Sequence, residues 1–294
     1  MSDPKERAAR LSCFRAPDEI EVLGGGITNV NLRVSDGGRR YVVRLGDDIP
    51  EHGVMRWNEL ALSRAAAEAG LSPGVVHHEP GVLVLDFIEA KTFAPEDVRD
   101  PANLARITEL IARAHRAMGP TLTAPVLAFW PFQVNRSYVA RLTADGSAHQ
   151  ALLPGMLRQC DALEAAAGPV RMVVGHNDLL AANLLDDGER LWLIDWEYGG
   201  YNSPLFDLAG LASNNALTEA QERGLLEAYP GTDPERDWRA YQGMKCASLM
   251  RETLWSMASE IHSDLDFDYA GYTAENLGRL HAALDDFSRL QGPK

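Results

Sequence analysis

Cysteine is scarce in this 294-residue chain, and what there is lies scattered. Cys13, Cys160 and Cys246 are odd in number and far apart, which excludes a disulfide framework or a clustered zinc site. The expected compartment is the reducing cytoplasm. Positive charge is also short. Lys and Arg total 28 against 42 Asp and Glu, for a net charge of −14. That argues against a general nucleic-acid or anionic-membrane binder, whose surface would be basic, and is compatible with a cationic substrate. The opening "MSDPKERAARLSCFRAP" lacks the apolar stretch of a signal peptide. No uncharged apolar run reaches membrane-spanning length, so no membrane insertion is expected. Internal repeats, a Walker A loop and the G-x-S-x-G elbow of serine hydrolases are missing too.

What remains is ordinary globular composition, 46% hydrophobic and 24% charged, and a clear change of texture along the chain. Residues 21–46 read as strands, with a hairpin signal at Asp36-Gly37-Gly38 and a Gly24-Gly25-Gly26 run upstream. "RWNELALSRAAAEAG" (56–70) predicts a helix closed by Gly. Two short strands are expected around Pro80-Gly81. Asp100 and Pro101 then announce a long helix as N-cap and first helical residue. After Pro204 all reads as helix, broken at "YPGTDPERD". The plan is a sheet-rich lobe over 1–88 and a larger helical lobe over 89–294, with the cleft between them as the expected ligand site.

The chemistry concentrates in "GHNDLLAANLLDDGERLWLIDWEYGGYN" (175–202). Asp178 is followed by Asn183 with four residues between, and Asp195 ends an apolar run twelve residues later. That is the spacing of the kinase catalytic loop H-R-D-x-x-x-x-N and its later metal-binding Asp, with Asn177 replacing Arg. Phosphoryl transfer needs a carboxylate for the attacking hydroxyl and oxygen ligands for Mg²⁺. On this reading Asp178 is the base, and Asn183 and Asp195 are the metal ligands. Asp and Asn also favour turns, so the spacing alone is weak. Its force comes from the order of a Gly-rich hairpin, a strand ending in a basic residue, a helix with a Glu, the loop, and the second Asp. His176 is expected to hold the loop. Glu197 shares the face of Asp195 if the strand continues, and would touch a second metal or the substrate.

"GHNDLLAANLL" and "LIDWEYGGYNSPLFDLAGLA" resemble the choline/ethanolamine kinase branch of the aminoglycoside phosphotransferase-like superfamily. The resemblance covers most of the chain. It implies an α+β, protein-kinase-like two-lobed fold, with a small antiparallel-sheet N-lobe, a larger mainly helical C-lobe, and ATP and Mg²⁺ between them. It further implies that Gly24, Gly25, Gly26, Thr28 and Asn29 cover the phosphates, that Arg44 binds phosphate with Glu59 in support, and that Asp86, Phe87 and Ile88 form a hinge meeting adenine. Asp207 would buttress the catalytic loop. The implied acceptor is choline or a related amino alcohol, a cation held by aromatic faces and a carboxylate. Trp255, Phe267 and Tyr272 fall at box positions. Two positions depart from the pattern. Asn214 stands where the branch carries a Glu, and Glu252 where it carries an aromatic, so Glu252 is the candidate to restore the lost charge. The aromatic-rich segment 127–138 is read as packing. An aminoglycoside, a sugar and thiamine are alternative acceptors, and a non-catalytic binding protein of the same fold is a third reading.

Overall fold

The computed structural model describes residues 3–24, 29–263 and 265–290. A short helix α1 (Pro4–Ala9) precedes strands β1 (Glu19–Leu23), β2 (Val30–Asp36) and β3 (Arg39–Leu45). Helix α2 (Arg56–Glu68) leads to β4 (Val75–Glu79) and β5 (Val82–Asp86). The five strands form one antiparallel sheet in the order β1-β2-β3-β5-β4. The Asp36 hairpin forms as expected, with Gly37 and Gly38 at φ 58° and 78° and Asp36 opposite Arg39. Two consecutive positive φ values make the tight turn whose twist matches the strands.

Alternation explains the sheet's buried face. Leu32 and Val34, then Tyr41, Val43 and Leu45, then Val82 and Val84 all turn to one side. There they close a small core with Ala8, Leu11 and Phe14. Helix α2 instead sends Leu62, Ala65 and Ala66 into a second, larger core that continues through the rest of the chain.

That larger part begins with β6 (Lys91–Thr92), α3 (Pro95–Arg99) and α4 (Pro101–Thr121). Asp100 caps α4 by accepting from the Ala102 and Asn103 amides. Helices α5 (Pro131–Ala144) and α6 (Leu153–Ala167) follow, then β7 (Val173–Gly175), β8 (Leu184–Asp186), β9 (Leu191–Leu193) and β10 (Gly200–Asn202). The chain ends in α7 (Pro204–Asn214), α8 (Glu219–Ala228), α9 (Pro234–His262) and α10 (Tyr269–Arg289). Helix α9 is the axis of this half, with α5, α6, α7 and α10 packed around it. From Tyr241 to Ser259 nearly every residue is buried, as a helix surrounded by others requires.

The helical tail holds two breaks the sequence did not announce, one at 215–218, where Thr218 caps α8, and one before α10. Before α10 the Asp268 carboxylate accepts from the Gly271 amide and caps a new helix. No helix among the described residues is long and apolar enough to cross a membrane.

Candidate active site

The loop after β7 is held from below. Asp207, at the start of α7, accepts from the His176 amide at 2.8 Å and the Asn177 amide at 2.7 Å, and meets His115 Nε2 at 2.8 Å. The expected buttress is therefore in place. Gly175 permits it, since a Cβ there would meet Asn177 Oδ1 at 3.0 Å and Asp207 Oδ2 at 3.1 Å. Asn177 adopts φ 67°, a costly value for a residue with a side chain. Its side chain fixes that conformation by donating to the Tyr198 carbonyl and accepting from Asn202 Nδ2. His176 donates from Nε2 to the Ile194 carbonyl at 2.8 Å. It ties the loop to the Asp195 segment, the holding role expected of it.

Asp178 and Asn183 are locked together, because Asn183 Nδ2 donates to the Asp178 carbonyl at 2.9 Å. That leaves Asn183 Oδ1 as the atom it can offer a cation. The β8–β9 hairpin pairs Leu184 with Leu193 and turns at Asp187, whose carboxylate accepts from the Glu189 and Arg190 amides. The Ile194 amide then donates to the Asn183 carbonyl. Asp195 thus returns beside Asn183, the geometry the spacing called for. An amide oxygen and a carboxylate facing one cavity suit a hard, oxygen-seeking cation such as Mg²⁺. Among the described residues no group of three or more His, Cys, Asp or Glu is arranged to hold a metal, so an ion there would need ligands beyond these side chains.

One expectation is corrected. The strand does not continue through Asp195, which takes φ 69°. Glu197 reaches the same place by a different route, through cations. Arg44 on β3 lies 3.0 Å from Glu59, 2.8 Å from Asp195 and 3.5 Å from Glu197. Arg56 binds Glu59 at 2.6 Å and Glu197 at 3.3 Å, and Asn29 donates to Glu197 at 3.2 Å. Burial alone would push Asp195 up, but the Arg44 guanidinium holds it below the usual carboxylate range. Glu197 is raised, by burial and by the neighbouring Asp195 charge. Arg44 is buried, and its Nε and Nη2 make no hydrogen bond among the described residues.

The adjoining cavity, about 380 Å³, is lined by Gly24, Arg44, the 85–88 segment, Asn183 and Asp195. It joins the expected phosphate end to the expected hinge, and its size is that of a small-molecule site. Gly25, Gly26 and Thr28 lie outside the described residues. A larger cavity of about 760 Å³ lies under α5 and touches Glu197 and Tyr198, but not Asp178. Segment 127–138 packs, as read from sequence, through Phe129 and Phe132, and it also lines this cavity.

On the acceptor side, Asp178 is largely buried. Burial pushes its carboxyl up to about 7, against the pull of Arg251 and with added repulsion from Glu252. Arg251 Nη1 is 3.5 Å from Asp178 and 2.8 Å from Glu252. Glu252 also accepts from the Tyr272 hydroxyl at 2.7 Å, so its charge is already matched. Trp255 donates to the Tyr198 hydroxyl. The expected box rings come together through Tyr269, which lies 6.1 Å from Trp255 and 4.9 Å from Phe267, itself 5.8 Å from Tyr272. Phe267 is half exposed. Asn214 sits in the last turn of α7 with no side-chain hydrogen bond among the described residues.

Residues 19–244 match the phosphotransferase enzyme family. The chain belongs to that family. It is similar to a probable ethanolamine kinase of Arabidopsis thaliana, 27% identical over 86% of this chain and 76% of the plant protein. Among solved structures it is similar to a choline/ethanolamine kinase family protein of Mesorhizobium loti, 28% identical with a TM-score of 0.79, over 97% of this chain and 95% of that one. The choline kinase LicA of Streptococcus pneumoniae shares the fold at 22% identity, with a TM-score of 0.75 over 95% and 97% of the two chains. The two-lobed, kinase-like architecture expected from the motifs is thus the architecture of this phosphotransferase.

Four participants escaped the sequence reading: Arg56, Tyr198, Arg251 and Tyr269. Arg251 had a signal, as a lone cation inside the apolar run "CASLMRETLW" of a helix centre. Arg56 opens the same helix as Glu59, three residues earlier, where its ion pair was readable.

Proposed function

We propose that this phosphotransferase is an ATP- and Mg²⁺-dependent kinase acting on the hydroxyl of choline, ethanolamine or a related amino alcohol. The observation that carries this reading is the joint presentation of Asp178, Asn183 and Asp195 by one loop and one hairpin, with Arg44 paired to Asp195 on the cavity that Asn183 and Asp195 line. Asp178 accepts the proton of the acceptor hydroxyl as its oxygen attacks the γ-phosphorus. The bond from that phosphorus to the β,γ-bridging oxygen breaks, and ADP leaves. Asp178 orients the hydroxyl, and its raised proton affinity favours taking that proton. Arg44 and the loop at Gly24 steady the phosphates, and the 86–88 segment meets the base. Mg²⁺, held by Asn183 and Asp195, would neutralise charge on the phosphate oxygens.

The amino-alcohol acceptor is supported by the relatives' names, several of which are ethanolamine kinases, and by the aromatic cluster beside Glu252. ADP release measured with ethanolamine, choline, an aminoglycoside, a sugar and thiamine tests it. Turnover with an amino alcohol, abolished by EDTA and restored by Mg²⁺, is the expected result. Turnover with only the other acceptors would overturn the amino-alcohol reading, and no ADP with any acceptor would favour a binding protein.

A further inference from the structure

We propose that Arg251 is a specificity-determining residue of the acceptor site. Its buried guanidinium occupies the ring face and the carboxylate that a quaternary ammonium would need, and so selects a primary ammonium alcohol over choline. The proposal rests on the amino-alcohol reading above.

The first ground is distance. Arg251 Nη1 is 3.5 Å from Asp178 Oδ1, where the acceptor hydroxyl must come. In ethanolamine and choline only two carbons separate hydroxyl from nitrogen. The acceptor's cationic head therefore falls within a side chain's length of this guanidinium, whichever way it points.

The second ground is what Arg251 has already taken. Its Cζ lies 4.2 Å from the Tyr198 ring centroid, a cation–π contact. It pairs with Glu252 at 2.8 Å. The rings beyond Glu252 meet one another at 61°, 62° and 77°, edge against face. A fixed cation thus stands where an open aromatic box would stand in a site built for choline's methylated head. Nor does it leave easily. It rises from the packed centre of α9, and its side chain is only 6% exposed.

The third ground is the difference between the two heads. A quaternary ammonium donates no hydrogen bond and depends on ring faces. A primary ammonium donates three, and a carboxylate accepts about four, so Glu252 retains capacity beside Arg251 and Tyr272. The Arg251 charge repels both heads, but only the primary amine can recover the loss through directed bonds.

The test is kcat/KM for ethanolamine and for choline in the wild type, Arg251→Met and Arg251→Lys, each first checked for a native melting transition. The wild type should prefer ethanolamine. Arg251→Met should shift the ratio toward choline by roughly tenfold, chiefly through a lower KM for choline. Arg251→Lys keeps the charge and should keep the preference. A wild-type preference for choline, or an unchanged ratio in Arg251→Met, would overturn the proposal. Should Arg251→Met fail to fold, inhibition of the wild type by ethylammonium and by tetramethylammonium decides, and equal or better inhibition by tetramethylammonium overturns it. If the wild type phosphorylates neither amine while turning over another acceptor, the amino-alcohol reading fails, and this proposal with it.

Discussion

Arg44 and Asp195 are 151 residues apart in sequence and 2.8 Å apart in space. That bond joins the β3 strand of the sheet to the segment after the β8–β9 hairpin. It places a guanidinium with unused donors against the carboxylate assigned to the metal.

The pairing makes Arg44 testable in two ways. Arg44→Gln removes the only cation in contact with Asp195 among the described residues and takes from Glu59 and Glu197 one of the two arginines that they share. Loss of one such electrostatic group should lower kcat/KM for ATP by about 10²- to 10³-fold. Arg44→Lys should recover only part of it, because a single ammonium cannot span three carboxylates as the planar fork does. Steady-state kinetics over an ATP titration reads both variants. Full activity in Arg44→Gln would remove Arg44 from the phosphate site.

Asp207 contributes through the loop alone. Asp207→Ala strands the His176 and Asn177 amides and the His115 ring. Each buried donor left without a partner costs about 1–3 kcal/mol. Urea unfolding should show that loss, and turnover should fall as Asp178 loses its support. If the urea midpoint is unchanged, the loop is held by other means.

These two residues also mark what the sequence could and could not reveal. The Asp178–Asn183–Asp195 spacing was legible because a loop and a tight hairpin of fixed length bridge the three, and Asp187-Gly188 announced the turn. The pairing of Arg44 with Glu59 followed from likeness to a family with a known plan. Arg251 against Asp178 was not legible, because that contact is set by how α9 packs beneath the loop, 73 residues away. Glu197 reached the site despite a wrong premise, since the positive φ at Asp195 breaks the alternation on which the premise relied. The breaks before α8 and α10 each depend on a single capping residue, Thr218 and Asp268, too slight a signal against the helical texture around them.

Asp178 yields the last prediction, on stability as well as turnover. Its carboxyl is pushed up to about 7 in the folded protein, against about 3.9 in an unfolded chain. Below pH ~4 both states hold the proton and the group costs nothing. Between pH ~4 and ~7 the unfolded state gives up its proton while the folded state keeps it, so stability falls as pH rises. Above pH ~7 the penalty is complete. Asp178→Asn removes the ionisation while preserving the shape. It should therefore melt at a higher temperature than the wild type at pH 8, with the gap narrowing toward pH 4. Turnover should fall about 10²- to 10⁴-fold, the usual contribution of a positioned base. Melting curves at several pH values, paired with ADP release, measure both. A variant that is inactive yet less stable at pH 8 would mean that Asp178 holds the fold through Arg251 rather than bearing a cost for catalysis.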